Sequence, residues 1–197
     1  MNKPNKPRLA WICLALLCAA VPLQSAEPVA DPNELPRIPP TEPADALKTF
    51  KVKKGFKLEL VAAEPLVTDP VSMSFDANGR LYVVEMRGYS ERREDSMGQI
   101  RLLEDTDYDG RMDKSTIFAR DLNWPTAVFC YDGGVFIGVT PDLWFMKDTD
   151  GDGVADLKKV VFTGFGSSRD RLNVQAMFNS FRWGLDNRIH GATAGNG

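Results

Sequence analysis

Two nine-residue stretches hold the densest chemistry in the chain: Asp105-Thr-Asp-Tyr-Asp-Gly-Arg-Met-Asp113 and Asp148-Thr-Asp-Gly-Asp-Gly-Val-Ala-Asp156. Each sets carboxylates at positions 1, 3, 5 and 9, with Gly110 or Gly153 at position 6. Alternate carboxylates around a tight turn can converge their oxygens on one point, and glycine permits the sharp bend that turns the position 7 carbonyl inward. Calcium takes about six to eight oxygen ligands, so the expected metal set is Asp105, Asp107, Asp109, the Arg111 carbonyl and Asp113 in one loop. In the other it is Asp148, Asp150, Asp152, the Val154 carbonyl and Asp156. Asp and Gly are also ordinary residues of solvated turns; the recurrence of the whole pattern favours calcium.

These loops are not EF-hands, because position 12 is Thr116 in one and Lys159 in the other rather than a bidentate Glu. Their flanks are β-branched and aromatic, Ile100–Leu103 and Ser115–Phe118, then Leu143–Met146 and Val160–Thr163, with no helical stripe. Each loop is therefore expected to join two antiparallel strands.

The elements that would carry these loops repeat. Ser74-Phe-Asp-Ala-Asn-Gly-Arg-Leu-Tyr-Val-Val84 has a parallel in Cys130-Tyr-Asp-Gly-Gly-Val-Phe-Ile-Gly138 and a weaker one in Gly184-Leu-Asp-Asn-Arg-Ile-His-Gly191. Each is a turn signal followed by a strand. Asp76, Asp132 and Asp186 lie 56 and 54 residues apart, whereas the acidic loops lie 43 apart. The difference of 13 matches a charged insertion in the first repeat, from Met86 to Gln99. A solvated loop is its plainer reading, a lid over a channel mouth the sharper one. Such a period, built of short strands without long helices, predicts an all-β fold: a partial β-propeller of about two to three blades, each a four-stranded antiparallel sheet. Closed propellers need about four to eight blades, so the chain is expected to be the N-terminal part of a longer protein.

Ahead of the repeats, Lys3, Lys6 and Arg8 precede an apolar run from Leu9 to Val21 and a small, polar exit to Ala26. That is a secretory signal, too short to span a bilayer comfortably, with a retained anchor as the alternative. Residues 1–26 are read as signal peptide, 27–49 as a linker and 50–197 as blades. The linker carries six prolines (Pro28, Pro32, Pro36, Pro39, Pro40, Pro43) and one stretch, Ala44–Thr49, able to make a helical turn. Export to the periplasm, cell surface or medium follows, with no integral membrane span. Without the signal the chain keeps 21 basic and 27 acidic residues, a net −6 that gives no reason to expect nucleic acid as partner. Cys13 and Cys18 leave with the signal, so Cys130 remains alone, without an internal disulfide, as a small buried hydrophobe.

The order of segments resembles a known family. Gly55-Phe-Lys-Leu-Glu-Leu-Val-Ala-Ala-Glu-Pro65, Asp69-Pro-Val, Asn78-Gly-Arg-Leu-Tyr-Val-Val-Glu85, the two acidic loops, Asn123-Trp-Pro-Thr126 and Asn179-Ser-Phe-Arg-Trp-Gly-Leu-Asp-Asn-Arg188 together are similar to the PVC-type membrane-bound dehydrogenase-like propellers, relatives of sorbosone and quinoprotein glucose dehydrogenases. The resemblance covers residues 50–197. It implies a periplasmic or cell-surface dehydrogenase acting on a sugar or alcohol, with pyrroloquinoline quinone as a candidate cofactor and a cytochrome-type electron acceptor as partner. Family members commonly carry helical repeats and a haem c domain after the propeller; no Cys-x-x-Cys-His occurs in this sequence, so haem c would require a downstream domain.

Quinoprotein relatives use a His base and Arg clamps, and none aligns here to a motif. His190, the only histidine, is a weak candidate for a general base, and a packed strand histidine is the plainer reading. Arg87, Arg182 and Arg188 are weak candidates to clamp a quinone carboxylate, each more often a surface or inter-blade ion pair. Trp124 and Trp183 sit at repeat positions that favour blade packing over stacking of a planar ligand. Two other classes compete with the enzyme. A non-catalytic binding propeller of the FG-GAP type also carries such loops, yet neither Phe-Gly nor Gly-Ala-Pro precedes Asp105 or Asp148. The other is a scaffold segment with no activity of its own.

Overall fold

The computed structural model describes residues 38–166 and 172–193. The expected signal segment and the expected linker as far as residue 37 lie outside the described residues. The chain divides into two units, 1–40 and 41–197, and everything below concerns the second. No helix among the described residues is long and apolar enough to cross a membrane.

The second unit opens with a single turn of helix, α1 (Pro43–Ala46), continued by a 3₁₀ turn over Leu47–Thr49. Pro43 suits the first turn, where a backbone N–H has no helical acceptor to lose. After an irregular stretch the strands begin. β1 (Pro70–Phe75), β2 (Leu81–Glu85), β3 (Gly98–Glu104) and β4 (Lys114–Leu122) form one sheet. β5 (Ala127–Tyr131), β6 (Gly134–Val139), β7 (Asp142–Lys147) and β8 (Leu157–Phe162) form the next. β9 (Asn179–Trp183) and β10 (Ile189–Ala192) pair as a third. Both four-stranded sheets are antiparallel meanders in chain order, and β1, β5 and β9 lie side by side. The described residues are thus all-β but for short helical turns: a partial propeller of two four-stranded blades and a third sheet of which two strands are described.

The three repeated turns are the hairpins between first and second strands. Asp76 Oδ1 accepts the amides of Asn78 and Arg80, each at 2.9 Å, and Arg80 Nε reaches Asp76 Oδ2 at 2.8 Å. Asp132 and Gly133 both hold positive φ, 50° and 70°, as a two-residue hairpin requires. At the third turn Asp186 Oδ1 accepts the Arg188 amide at 3.2 Å, and Asn187 has φ 58°.

Burial follows the period of two along each strand. Tyr82, Val84, Ile100, Leu102 and Phe118 face Val128, Val135, Ile137 and Met146 across the boundary between the first two blades. Their neighbours Leu81, Val83 and Leu103 pack with Met112 against Ala62, Leu66 and Val67 on the opposite side. Ala127, Phe129, Phe136 and Leu143 meet Phe178, Phe181 and Ile189. β2 is buried throughout because its sheet is covered on both faces. A fully buried Leu, Ile or Phe contributes about 1.5–3 kcal/mol, against about 0.5–1.5 for a hydrogen bond. Packing therefore holds the blades together, and hydrogen bonds set their register.

The insertion between β2 and β3 is not a free solvated loop. Its Arg93 donates to the Thr140 carbonyl of the second blade at 2.6 Å. Its Tyr89 ring lies 5.1 Å from that of Trp124, which is buried, and Ser96 bonds Asn123. Thr140 is the β6–β7 turn, where the second blade has no counterpart to the insertion.

Candidate functional site

Each acidic stretch is the loop of a hairpin, residues 105–113 between β3 and β4 and residues 148–156 between β7 and β8. Their internal bonding is nearly superimposable. The position 1 carboxylate accepts the position 6 amide in both, Asp105 from Gly110 and Asp148 from Gly153, each at 2.9 Å. Position 3 accepts from position 5 at 3.3 Å, and position 5 from position 7 at 2.7 Å. Two residues per loop sit in left-handed backbone, Tyr108 (φ 61°) and Gly110 (φ 90°), then Gly151 (φ 88°) and Gly153 (φ 87°). Glycine at position 6 is thus required by the turn.

Carboxylate oxygens of Asp105, Asp107 and Asp109 lie within 4.8 Å of one another, as do those of Asp148, Asp150 and Asp152. Asp113 and Asp156 stand outside these triads and hold the threonine at position 2. Thr106 Oγ1 donates to Asp113 Oδ2 at 2.8 Å and Thr149 Oγ1 to Asp156 Oδ2 at 2.6 Å, with the threonine amides adding to both. That bond holds the Asp156 carboxyl below the usual aspartate range. Desolvation pushes Asp148 upward, but the amides of Gly151 and Gly153, with Asp150, outweigh it and hold the carboxyl low. The donor set is hard oxygen without His or Cys, the kind that suits a hard divalent cation better than a soft one.

Both loops also dock on a neighbour through position 8. The Met112 amide donates to the Val61 carbonyl, and the Ala155 amide to the Phe118 carbonyl, each at 2.8 Å. Thr106 and Thr149, recurring at position 2, and this shared position 8 contact were missed in the sequence. The threonine was visible there as a repeat; the docking partner was not.

A cavity of about 730 Å³ opens between β1, β9 and the insertion. Its lining includes Met73, Met86, Tyr89, Thr126, Asn179 and Arg182, and Arg182 is the one cationic side chain among its described residues. Arg182 donates to the Phe181 carbonyl at 2.7 Å and lies directly across from His190 in the β9–β10 register. His190 itself does not line the cavity: Nε2 lies 3.0 Å from Asp186 Oδ1 on an exposed hairpin. Arg188 is exposed, its Nε 4.0 Å from Asp186. Arg87 lines a separate cleft with Asp95, Gln99 and Asp121. The fold therefore brings Arg182 and His190 together and leaves Arg87 and Arg188 elsewhere.

One charged cluster had no signal in the sequence. Glu85 is fully buried at the end of β2, accepting the Thr68 amide at 2.8 Å and a bond from Gln99, with Arg101 Nε 3.3 Å away. It clamps the segment before β1 onto the first blade.

No match to the chain is found among curated proteins. Among solved structures, the chain is similar to one titled "Iodide structure of Trichoderma reesei Carbohydrate-Active Enzymes Family AA12", at 18% identity with a TM-score of 0.43. The alignment covers 56% of this chain and spans 27% of that one. Residues 42–197, from the opening helical turn through all three sheets, match the model of a domain of unknown function, DUF7133, and the chain belongs to that family.

Proposed function

We propose that these are calcium-stapled blades of an exported, dehydrogenase-like propeller that oxidises a sugar or alcohol and passes electrons to a cytochrome-type acceptor. The observation that carries the calcium reading is the paired convergence of three carboxylates within 4.8 Å in two independent hairpins. Asp105, Asp107 and Asp109 would hold one ion and Asp148, Asp150 and Asp152 the other, joined by the carbonyls of Arg111 and Val154. Asp113 and Asp156, bonded to threonine, would either add an oxygen or keep bracing the loop. The metal is structural in this reading, since both sites cap hairpins rather than line the cavity.

The redox half is supported by the segments resembling sorbosone- and quinoprotein-type dehydrogenases. Pyrroloquinoline quinone would supply a two-electron acceptor, and it carries three carboxylates. Arg182 alone among the cavity's described lining can pair with one, so that lining does not by itself hold the quinone.

Thermal melting tests the calcium reading. Millimolar Ca²⁺ should raise the melting temperature over chelator, by about 2.7 kcal/mol of stabilisation per occupied site at a hundred times Kd. Replacing Asp107 and Asp150 with Ala should remove most of the shift, and equal melting with and without Ca²⁺ would refute the metal loops. Dye reduction by the protein with sugars and alcohols plus pyrroloquinoline quinone tests the redox half separately.

A further inference from the structure

A cavity of about 310 Å³ opens at the other end of β1, where the first two blades meet. Two turns of unequal length wall it. Residues 76–80 join β1 to β2, whereas only Asp132 and Gly133 join β5 to β6. Both walls belong to four-stranded blades.

The interior offers donors that the protein does not use. Tyr82 lines the cavity and is 2% exposed. Its hydroxyl accepts from Arg80 Nη2 at 3.3 Å and, among the described residues, donates to nothing. A buried donor without an acceptor is destabilising until one is supplied. Burial pushes the Tyr82 pKa up to about 12, so the proton stays on the oxygen at neutral pH. Asp76 holds Arg80 Nε at 2.8 Å, which leaves Arg80 Nη1 as a second donor. Phe75 and Tyr131 add aromatic surface, 55% and 46% exposed. Asp132, in the shorter turn, adds a carboxylate acceptor.

Hydrogen-bond donors and acceptors beside two aromatic rings suit a ligand with hydroxyls on its edge and C–H groups on its faces. Charge narrows the class: Asp76 and Asp132 outnumber Arg80 in the lining, so an anion would meet net repulsion. Ligand pockets run from about 300 to 1,000 Å³, and this volume at the low end holds one ring rather than a chain. We propose that the cavity binds one neutral sugar residue, free or at the end of a glycan. Tyr82 and Arg80 donate to its hydroxyls, Asp132 accepts from them, and Phe75 and Tyr131 pack on its faces. The site and the cavity beside Arg182 lie at opposite ends of β1, so this binding stands apart from the redox reading.

Cys130 lines the same cavity and reports its occupancy. Glucose, galactose and mannose, each free and as the methyl glycoside, are the probes. Alkylation of Cys130 in the 197-residue chain, read by mass spectrometry, should slow saturably with at least one of them. The expected slowing is about tenfold at a sugar concentration of ten times Kd. Tyr82→Phe keeps the ring and removes the donor, and should weaken the sugar about tenfold. Tyr131→Ala, on the exposed wall, should weaken it too. A free sugar and a glycan end are told apart by the methyl glycoside, which protects only if the site accepts a linked residue. Protection that survives both substitutions would reflect general stabilisation of the fold and overturn the site. So would a Cys130 rate unchanged by all three sugars, or stronger protection by gluconate than by any of them.

Discussion

The Ala155 amide donates to the Phe118 carbonyl at 2.8 Å, tying the second acidic loop to the outer strand of the blade before it. Two positions earlier, Gly153 packs against Thr116 of the same strand. The loop is therefore part of a blade boundary as well as the cap of its own hairpin. Anything that orders residues 148–156 should also tighten the contact between the two blades.

Gly110 and Gly153 separate these two roles. Both hold left-handed backbone, so alanine at either should cost about 1–2 kcal/mol. A Cβ at Gly110 meets nothing within 4 Å, whereas one at Gly153 meets Thr116 Cγ2 at 3.2 Å. Gly153→Ala should therefore lower the urea midpoint further than Gly110→Ala. Equal losses would show that Thr116 yields freely and that the boundary is looser than its contacts suggest.

Glu85 should be among the costliest side chains to remove. It is 0% exposed, and Arg101, only 20% exposed at its side chain, would lose its counter-charge. Breaking a buried pair from one side costs about 3–5 kcal/mol. Denaturant unfolding of Glu85→Ala should show a loss of that size. Glu85→Gln keeps an acceptor for the Thr68 amide and should lose less; a neutral Glu85→Ala would remove the clamp from the account.

Asp186 links the third hairpin to pH. The hydrogen bond from His190 holds its carboxyl below the usual aspartate range, against desolvation and with help from the Arg188 amide. A depressed folded value stabilises the turn above the ordinary aspartate pKa, and that contribution fades as pH falls through the folded value. Carboxyl NMR titration should place Asp186 low, and His190→Ala should move it back up. An unmoved titration would mean that the imidazole contact is not formed in solution.

Cys130 should be a sluggish thiol. Burial pushes its pKa up against a bond to Ser74, with the sulfur 3.6 Å from the Ser74 carbonyl across the blade boundary. The thiolate is the reactive form, so a disulfide reagent at neutral pH should modify Cys130 far faster in denaturant than in the native state. Equal rates would place this boundary open.

The residue order alone carried the local structure: two carboxylate loops in hairpins, three turns at Asp76, Asp132 and Asp186, four-strand blades and an insertion after Met86. These are short-range matters, set by period-two burial and by where Asp and Gly allow a tight turn. Tertiary structure decided what lies between repeats. It put Phe118 under Ala155, Val61 under Met112, Arg93 on Thr140 and Arg182 rather than Arg87 or Arg188 beside the cavity. It also buried Glu85, which reads in sequence as one more polar strand end. Alternation along a strand tells which residues share a face but not what covers that face, because the covering group comes from a distant segment whose position depends on how whole sheets stack.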